Sequence, residues 1–109
     1  MEILYASKKW QQLCESRKEA EKKLGTDCAR KLRARLADLE AARRVGDLAA
    51  GNPHPLKGDR SGQFALNLAG GYRLVFSAAN DPAPLQQDGS IHWYAVTIVC
   101  IEYIGDYHG

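Results

Sequence analysis

Three short stretches of the sequence carry side chains that can bind a phosphate group or exchange protons with it. His54, Lys57 and Arg60 lie in a Gly-rich turn, Arg73 lies in an alternating apolar stretch, and Asp106-Tyr107-His108 comes near the end of the chain. An imidazole exchanges protons near neutral pH, and guanidinium and ammonium groups bind phosphate oxygens. If folding brings the three stretches together, they form a small cationic cleft that can hold a phosphodiester.

Such a cleft suits the cleavage of RNA without a metal ion. One group takes a proton from the ribose 2′-hydroxyl, a cation stabilises the crowded phosphorus, and a second group protonates the departing 5′-oxygen. His108 can serve as acid or base, Asp106 can orient it, and Tyr107 can stack on a base or position the phosphate. The sequence has no carboxylate cluster for two magnesium ions, no P-loop and no serine-hydrolase elbow, so neither a metal nor a cofactor is expected.

The same residues also have plain structural interpretations. His54 can be a surface residue on a loop, and the cations of the turn can form solvated pairs with Asp59. Arg73 is more informative, because an arginine on a half-buried sheet face needs an anionic partner. That partner can be a ligand, or it can be Glu102 on the last predicted strand.

Length and composition predict one soluble globular domain, residues 1–109, with a single core. The sequence has no signal peptide and no apolar run near the roughly 20 residues that span a bilayer, so we expect a cytoplasmic protein with no membrane contact. Three cysteines without a Cys-x-x-Cys spacing are expected to be reduced and buried. All fifteen Lys and Arg residues lie at or before Arg73. This asymmetry favours a nucleic acid or an acidic protein as partner.

The hydrophobic pattern predicts one strand, two helices and then three strands. A Gly-rich hairpin turn at Ala69-Gly70-Gly71 joins the second and third strands, and a long loop over Ala78–His92 precedes the last. The predicted strands are Ile3–Tyr5, Gln63–Leu68, Tyr72–Ser77 and Trp93–Ile104, and the predicted helices are about Lys8–Leu24 and Asp27–Arg44.

This order of elements predicts an α+β fold, in which an antiparallel helical hairpin packs on one face of a twisted, mainly antiparallel sheet. Strand alternation places Arg73 on the face opposite the aromatic residues Tyr72 and Phe76. The stretch Trp93–Ile104 is apolar at both alternating positions, which is typical of a central strand covered on both faces. The sheet face away from the helices remains for a substrate.

The three motifs together resemble a known family. His-Pro-Leu-Lys-Gly-Asp-Arg-x-Gly-Gln at 54–63, Gly-Tyr-Arg-Leu-Val-Phe at 71–76 and Asp-Tyr-His at 106–108 are similar to motifs of the RelE/ParE toxin superfamily. The branch that the sequence most resembles is the HigB-like group of type II toxin–antitoxin modules, known as plasmid maintenance system killer proteins.

The resemblance implies a toxin of the microbial ribonuclease type that cleaves mRNA in the ribosomal A site. Its partners would be a cognate antitoxin, the ribosome and mRNA, with DNA reached only through the antitoxin. By position, His54 and Lys57 match the basic loop of the family, with Arg60 a further RNA contact, Arg73 its cleft arginine, and Asp106-Tyr107-His108 its catalytic tripeptide. Which histidine is the base stays open. Two alternatives also stay open: a gyrase inhibitor, and a regulatory member that binds antitoxin without being toxic.

Overall fold

The computed structural model describes residues 1–106, and it has an α+β fold. Tyr107, His108 and Gly109 lie outside the described residues. The helices are α1 (Lys8–Glu15), α2 (Arg17–Leu24) and α3 (Thr26–Ala41), and the strands are β1 (Glu2–Tyr5), β2 (His54–Pro55), β3 (Gln63–Asn67), β4 (Arg73–Ala78) and β5 (Ile98–Gly105). Within residues 1–106, none of the helices has the length and apolar character needed to cross a membrane.

The five strands form one sheet in the order β1-β5-β4-β3-β2. Neighbouring strands are antiparallel except for β1, which runs parallel to β5. The predicted β3–β4 hairpin is confirmed, and both Gly70 (φ 61°) and Gly71 (φ 84°) adopt the left-handed backbone that its turn requires. Strand β2 was not predicted, because it has only two residues and one of them is a proline at the edge of the sheet.

The helices and the sheet bury a common apolar core. Alternate residues of β3, β4 and β5 face this core, and the leucines of α3 pack against them. Phe76 on the central strand is fully buried and contacts the rings of Phe64 and Trp93, at centroid distances of 5.5 and 6.1 Å. The predicted placement of helices on one face is therefore correct, and the opposite face carries Arg73, Val75 and Ser77.

The first predicted helix, Lys8–Leu24, is wrong in one respect, because it is divided at Ser16. The backbone of Ser16 is extended (φ −117°, ψ 109°), and its hydroxyl accepts a hydrogen bond from the Glu19 amide at 3.2 Å. Serine competes for backbone donors in this way and so favours a helix cap over a helix interior. The predicted end of the helix at Gly25 is confirmed, with φ at 84°.

The last predicted strand, Trp93–Ile104, is also corrected. Trp93–Ala95 forms a 3-10 turn, and β5 begins only at Ile98. The Trp93 ring inserts beside Phe64 with centroids 4.9 Å apart, which holds this segment against the core rather than along the sheet. Strand β5 is an interior strand as predicted, paired with β1 on one edge and β4 on the other, but Ile98, Cys100 and Tyr103 on its other face are only half-buried. The loop before it is anchored by Asn80, whose side-chain oxygen accepts from the amides of Thr97 and Ile98.

An irregularity in pairing changes which residues of β5 face the open side of the sheet. Val75 pairs with Tyr103, whereas the next residue, Phe76, pairs with Ile101. Glu102 is therefore an extra residue, a β-bulge. The bulge reverses the alternation along β5, so that Tyr103 shares the face of Arg73 while Ile104 points to the core.

The Tyr5 hydroxyl of β1 and the Cys14 thiol of α1 lie in contact, and both have raised pKa values. Burial raises the pKa of the Cys14 thiol to about 12, although its hydrogen bond with Tyr5 works against this rise. Burial likewise raises the pKa of Tyr5 to about 12, with further contributions from the negative charges of Cys14 and Glu15. All three cysteines are free; Cys28 is buried, and Cys14 and Cys100 are half-buried.

We expect this pair to make the fold sensitive to alkali. The folded pKa values of Cys14 and Tyr5 lie above their ordinary values of 9.0 and 10.0. Their contribution to stability is therefore complete below about pH 9 and is lost as the pH rises towards 12. Urea denaturation between pH 8 and 11 should show a falling free energy of unfolding, with a smaller fall in Cys14→Ala. An equally steep fall in this variant would contradict the prediction.

Candidate functional site

An open cleft of about 850 Å³ lies on the face of the sheet opposite the helices. We call it the basic cleft; its charged and polar lining residues are His54, Lys57, Asp59, Arg60, Gln63 and Arg73. Within residues 1–106, Asp59 is the only carboxylate in this lining, against three cations and a histidine. The fold therefore gathers the predicted Gly-rich turn and the predicted strand arginine around one positively charged depression.

The ring of His54 is oriented by the turn before it. Its Nδ1 lies 2.7 Å from the carbonyl oxygen of Asn52, whose backbone is left-handed at φ 50°. Because a carbonyl can only accept, Nδ1 carries a proton, and in the neutral ring Nε2 then holds the lone pair. His54 can accordingly accept a proton at Nε2 or, when protonated, donate one from it.

A glycine fixes the position of this turn. Gly51 has φ of 85°, and its carbonyl accepts from the Asn67 amide of β3 at 2.6 Å. A Cβ at Gly51 would lie only 2.9 Å from the Cδ of Arg35, so a larger residue would push the turn away from α3. The position of His54 therefore depends on a residue with no side chain.

The cations of the turn differ in how firmly they are held. Lys57 is exposed, whereas the Arg60 guanidinium donates to Gln63 Oε1 at 3.2 Å and lies over the Tyr103 ring, with Cζ 4.4 Å from the centroid. A cation over an aromatic face is attracted by the ring quadrupole. Arg60 is thus held in one position at the cleft by these two contacts, whereas the exposed Lys57 side chain can change conformation when a ligand binds.

Arg73 has the most telling environment in the cleft. One terminal nitrogen, Nη1, donates to the Tyr72 carbonyl oxygen at 3.2 Å, but the buried Nε has no hydrogen-bond partner among the described residues. The side-chain oxygen of Asn67, which pairs with Arg73 across the sheet, is also buried without one. Buried polar atoms are nearly always satisfied. The Arg73 Nε and the Asn67 oxygen are thus a donor and an acceptor without partners at neighbouring positions, while the Arg73 side chain lines the cleft.

Glu102 does not provide the structural partner that the sequence allowed. Its carboxylate accepts a hydrogen bond from the Ser77 hydroxyl at 2.6 Å. Within residues 1–106, no ion pair involves Arg73. The guanidinium is consequently available to an anion that enters the cleft.

The predicted C-terminal group is only partly described. Asp106 is exposed and lies beside the hairpin turn, where a Cβ at Gly71 would come within 3.3 Å of its Oδ2. It lines a separate groove next to α1 rather than the basic cleft. Tyr107 and His108 lie outside the described residues, so their predicted roles stay predictions. Over residues 1–106, no three His, Cys, Asp or Glu side chains are grouped as a metal site requires.

Sequence reasoning missed three residues in or beside the cleft: Gln63 lines it, Asn67 pairs with Arg73, and the Tyr103 ring lies under the Arg60 guanidinium. Gln63 and Asn67 follow from strand alternation once Arg73 is assigned to the cleft, because they pair with Ser77 and Arg73. No comparable signal existed for Tyr103, because regular alternation places it on the helix side.

The fold is similar to that of solved bacterial toxin structures. A YoeB/ParE toxin from Agrobacterium tumefaciens superposes with a TM-score of 0.61 at 13% identity, covering 98% of this chain and 99% of that chain. A YoeB-YefM complex from Staphylococcus aureus gives a TM-score of 0.57 at 11% identity, covering 98% and 97%. No protein-family model and no curated protein matches the sequence. At these identities the likeness establishes the fold.

Proposed function

We propose that this protein is the toxin of a type II toxin–antitoxin module and acts as a metal-independent, ribosome-dependent mRNA endonuclease. Within the RelE/ParE superfamily, its motifs favour the HigB-like branch. The observation that carries the proposal is the Arg73 guanidinium, which forms no ion pair within residues 1–106 and lines one cleft with His54 and Lys57. The likeness of the fold to YoeB/ParE toxins supports it.

The proposed reaction is a transesterification within the RNA strand. A base removes the proton of the ribose 2′-hydroxyl, the 2′-oxygen attacks phosphorus, and the P–O5′ bond breaks as an acid protonates the 5′-oxygen. The products are a 2′,3′-cyclic phosphate and a 5′-hydroxyl end. His54 and His108 are the proposed proton-transfer pair. Arg73 stabilises the charge that develops on the phosphorane, and Lys57 and Arg60 bind neighbouring phosphates.

The proposal includes a protein partner that restrains the toxin. One of the solved structures with a similar fold is a YoeB-YefM complex, and a cleft lined by cations suits an acidic antitoxin segment that orders on contact. Asp106 and Tyr107 are assigned to orient His108 and to stack on or position the RNA, by the match of the tripeptide to the family motif. The toxin would act in the cytoplasm.

The decisive experiment maps cleavage of a reporter mRNA in a purified translation system. We expect new 5′-hydroxyl ends within the reading frame, and no cleavage of a matched mRNA whose start codon is mutated. Cleavage of both mRNAs alike would remove the ribosome from the proposal. Growth arrest on expression without any mRNA cleavage would overturn the endonuclease and favour a target such as gyrase.

A further inference from the structure

A row of two adjacent aromatic rings with a cation at each end leads out of the basic cleft towards α1. The Arg60 guanidinium lies over the Tyr103 ring, the Tyr103 ring meets the edge of Trp10 with centroids 5.5 Å apart, and the Lys9 ammonium lies 4.8 Å from the Trp10 centroid. Each distance between neighbouring groups is shorter than 6 Å, so the four side chains form one continuous row.

Strand pairing explains why this row exists. β1 pairs with β5 only from Ile98 to Ile101, and beyond that point the start of α1 lies beside β5 instead. The bulge at Glu102 turns Tyr103 towards the open side of the sheet at that point. Gly105 then provides room for the ring, because a Cβ there would lie 2.7 Å from the Tyr103 hydroxyl oxygen.

The row borders a second depression, which we call the α1 groove. It has a volume of about 330 Å³, and its polar and aromatic lining residues are Lys9, Trp10, Lys23, Tyr72, Tyr103 and Asp106. The three rings are half-buried and the two lysines are exposed. Glu19 lies close to both lysines, so the groove contains acids as well as cations.

We propose that the α1 groove binds single-stranded RNA that extends from the basic cleft, as an auxiliary site for nucleotides flanking the cleaved one. This inference rests on the proposed function, because it concerns the path of the RNA whose cleaved nucleotide would lie in the basic cleft. Proteins bind single strands by combining aromatic faces, on which bases stack, with cations that follow the backbone. The groove has both and is joined to the cleft by the contact of Arg60 with Tyr103, whereas an acidic peptide would need the cations but not the adjacent rings.

The test uses uncleavable 2′-deoxy oligonucleotides of two and eight nucleotides, with affinity measured by fluorescence anisotropy of an end label. Stacking contributes about 1–3 kcal/mol per base, so the octamer should bind the intact protein at least about tenfold more tightly than the dimer. Lys9→Ala/Lys23→Ala should reduce octamer affinity severalfold, because contacts to the backbone are lost while the rings remain, and it should bind the dimer normally. The logarithmic salt dependence of octamer binding should decrease by about 0.7 for each phosphate that a lysine no longer neutralises.

A matched variant separates the groove from general charge. Lys18→Ala/Lys22→Ala removes two exposed lysines of α2 that do not line the groove, and it should bind the octamer as the wild type does. In Trp93→Phe, which leaves Trp10 as the only tryptophan, the octamer should quench fluorescence and the dimer should not.

Equal reductions of octamer affinity in both lysine pairs, or groove binding by an acidic peptide but not by RNA, would overturn the proposal. Its failure differs from failure of the proposed function: a protein that cleaves translated mRNA but has no length-dependent gain in affinity refutes only the auxiliary site.

Discussion

Replacing either His54 or His108 by alanine should slow cleavage of the translated reporter by about 10²–10⁴-fold, the usual contribution of positioned proton transfer. His54 can fill this role because its Nδ1 is committed to the Asn52 carbonyl, which leaves Nε2 for the substrate. His108 is included because its motif matches the resembled family. Primer extension on the reporter at fixed times gives the rate for each variant.

The third histidine of the chain provides the control. His92 is exposed and lines a loop depression outside the basic cleft, so His92→Ala should cleave at the wild-type rate. Full activity of His54→Ala together with His108→Ala would exclude both from proton transfer. A loss of activity confined to one of them would identify that residue as essential and require another group in the opposite role.

Arg73→Ala should reduce the cleavage rate by about 10²–10³-fold, the typical effect of removing one donor that stabilises charge in a transition state. The guanidinium is placed for this role because Arg73 lies on the central strand, β4, and is held between Asn67 of β3 and Gly105 of β5. It also has no carboxylate partner within residues 1–106. The same assay measures the effect, and relief of growth arrest on expression provides a second readout.

Two further measurements separate catalysis from folding. Arg73→Lys keeps the charge but loses the planar fork of donors, so its rate should lie between those of the wild type and Arg73→Ala. The free energy of unfolding of Arg73→Ala should fall only slightly, because the substitution loses one hydrogen bond to the Tyr72 carbonyl but also removes a buried nitrogen that has no partner among the described residues. A variant that unfolds more readily and is inactive for that reason would contradict the assignment.

Much of the architecture follows from local pattern. Apolar alternation in β3 and β4, together with the two glycines of the hairpin, predicts both strands and their turn, and the leucine spacing of α3 predicts its buried side. The break at Ser16 was missed because it depends on one side-chain hydrogen bond that periodicity does not record. Strand β2 was missed because it has only two residues and one of them is a proline. The 3-10 turn at Trp93 was missed because its cause is a distant contact with Phe64.

The site was predictable to a similar degree. Residue chemistry marks His54, Lys57, Arg60 and Arg73, and the structure places all four around one cleft. The contribution of Tyr103 was not predictable, because one additional residue in β5 reverses the alternation on which the sequence argument relies. The face on which a side chain lies after a β-bulge can be assigned only from coordinates.

That additional residue, Glu102, determines which of its two neighbours the ligand meets. If β5 paired regularly with β4 at its present length, Glu102 would lie opposite Val75, Tyr103 would turn towards the core and Ile104 would face the ligand. An aromatic surface would then become an aliphatic one with no change in composition. A one-residue shift of strand register is therefore a simple route by which such a scaffold acquires a different ligand preference during evolution.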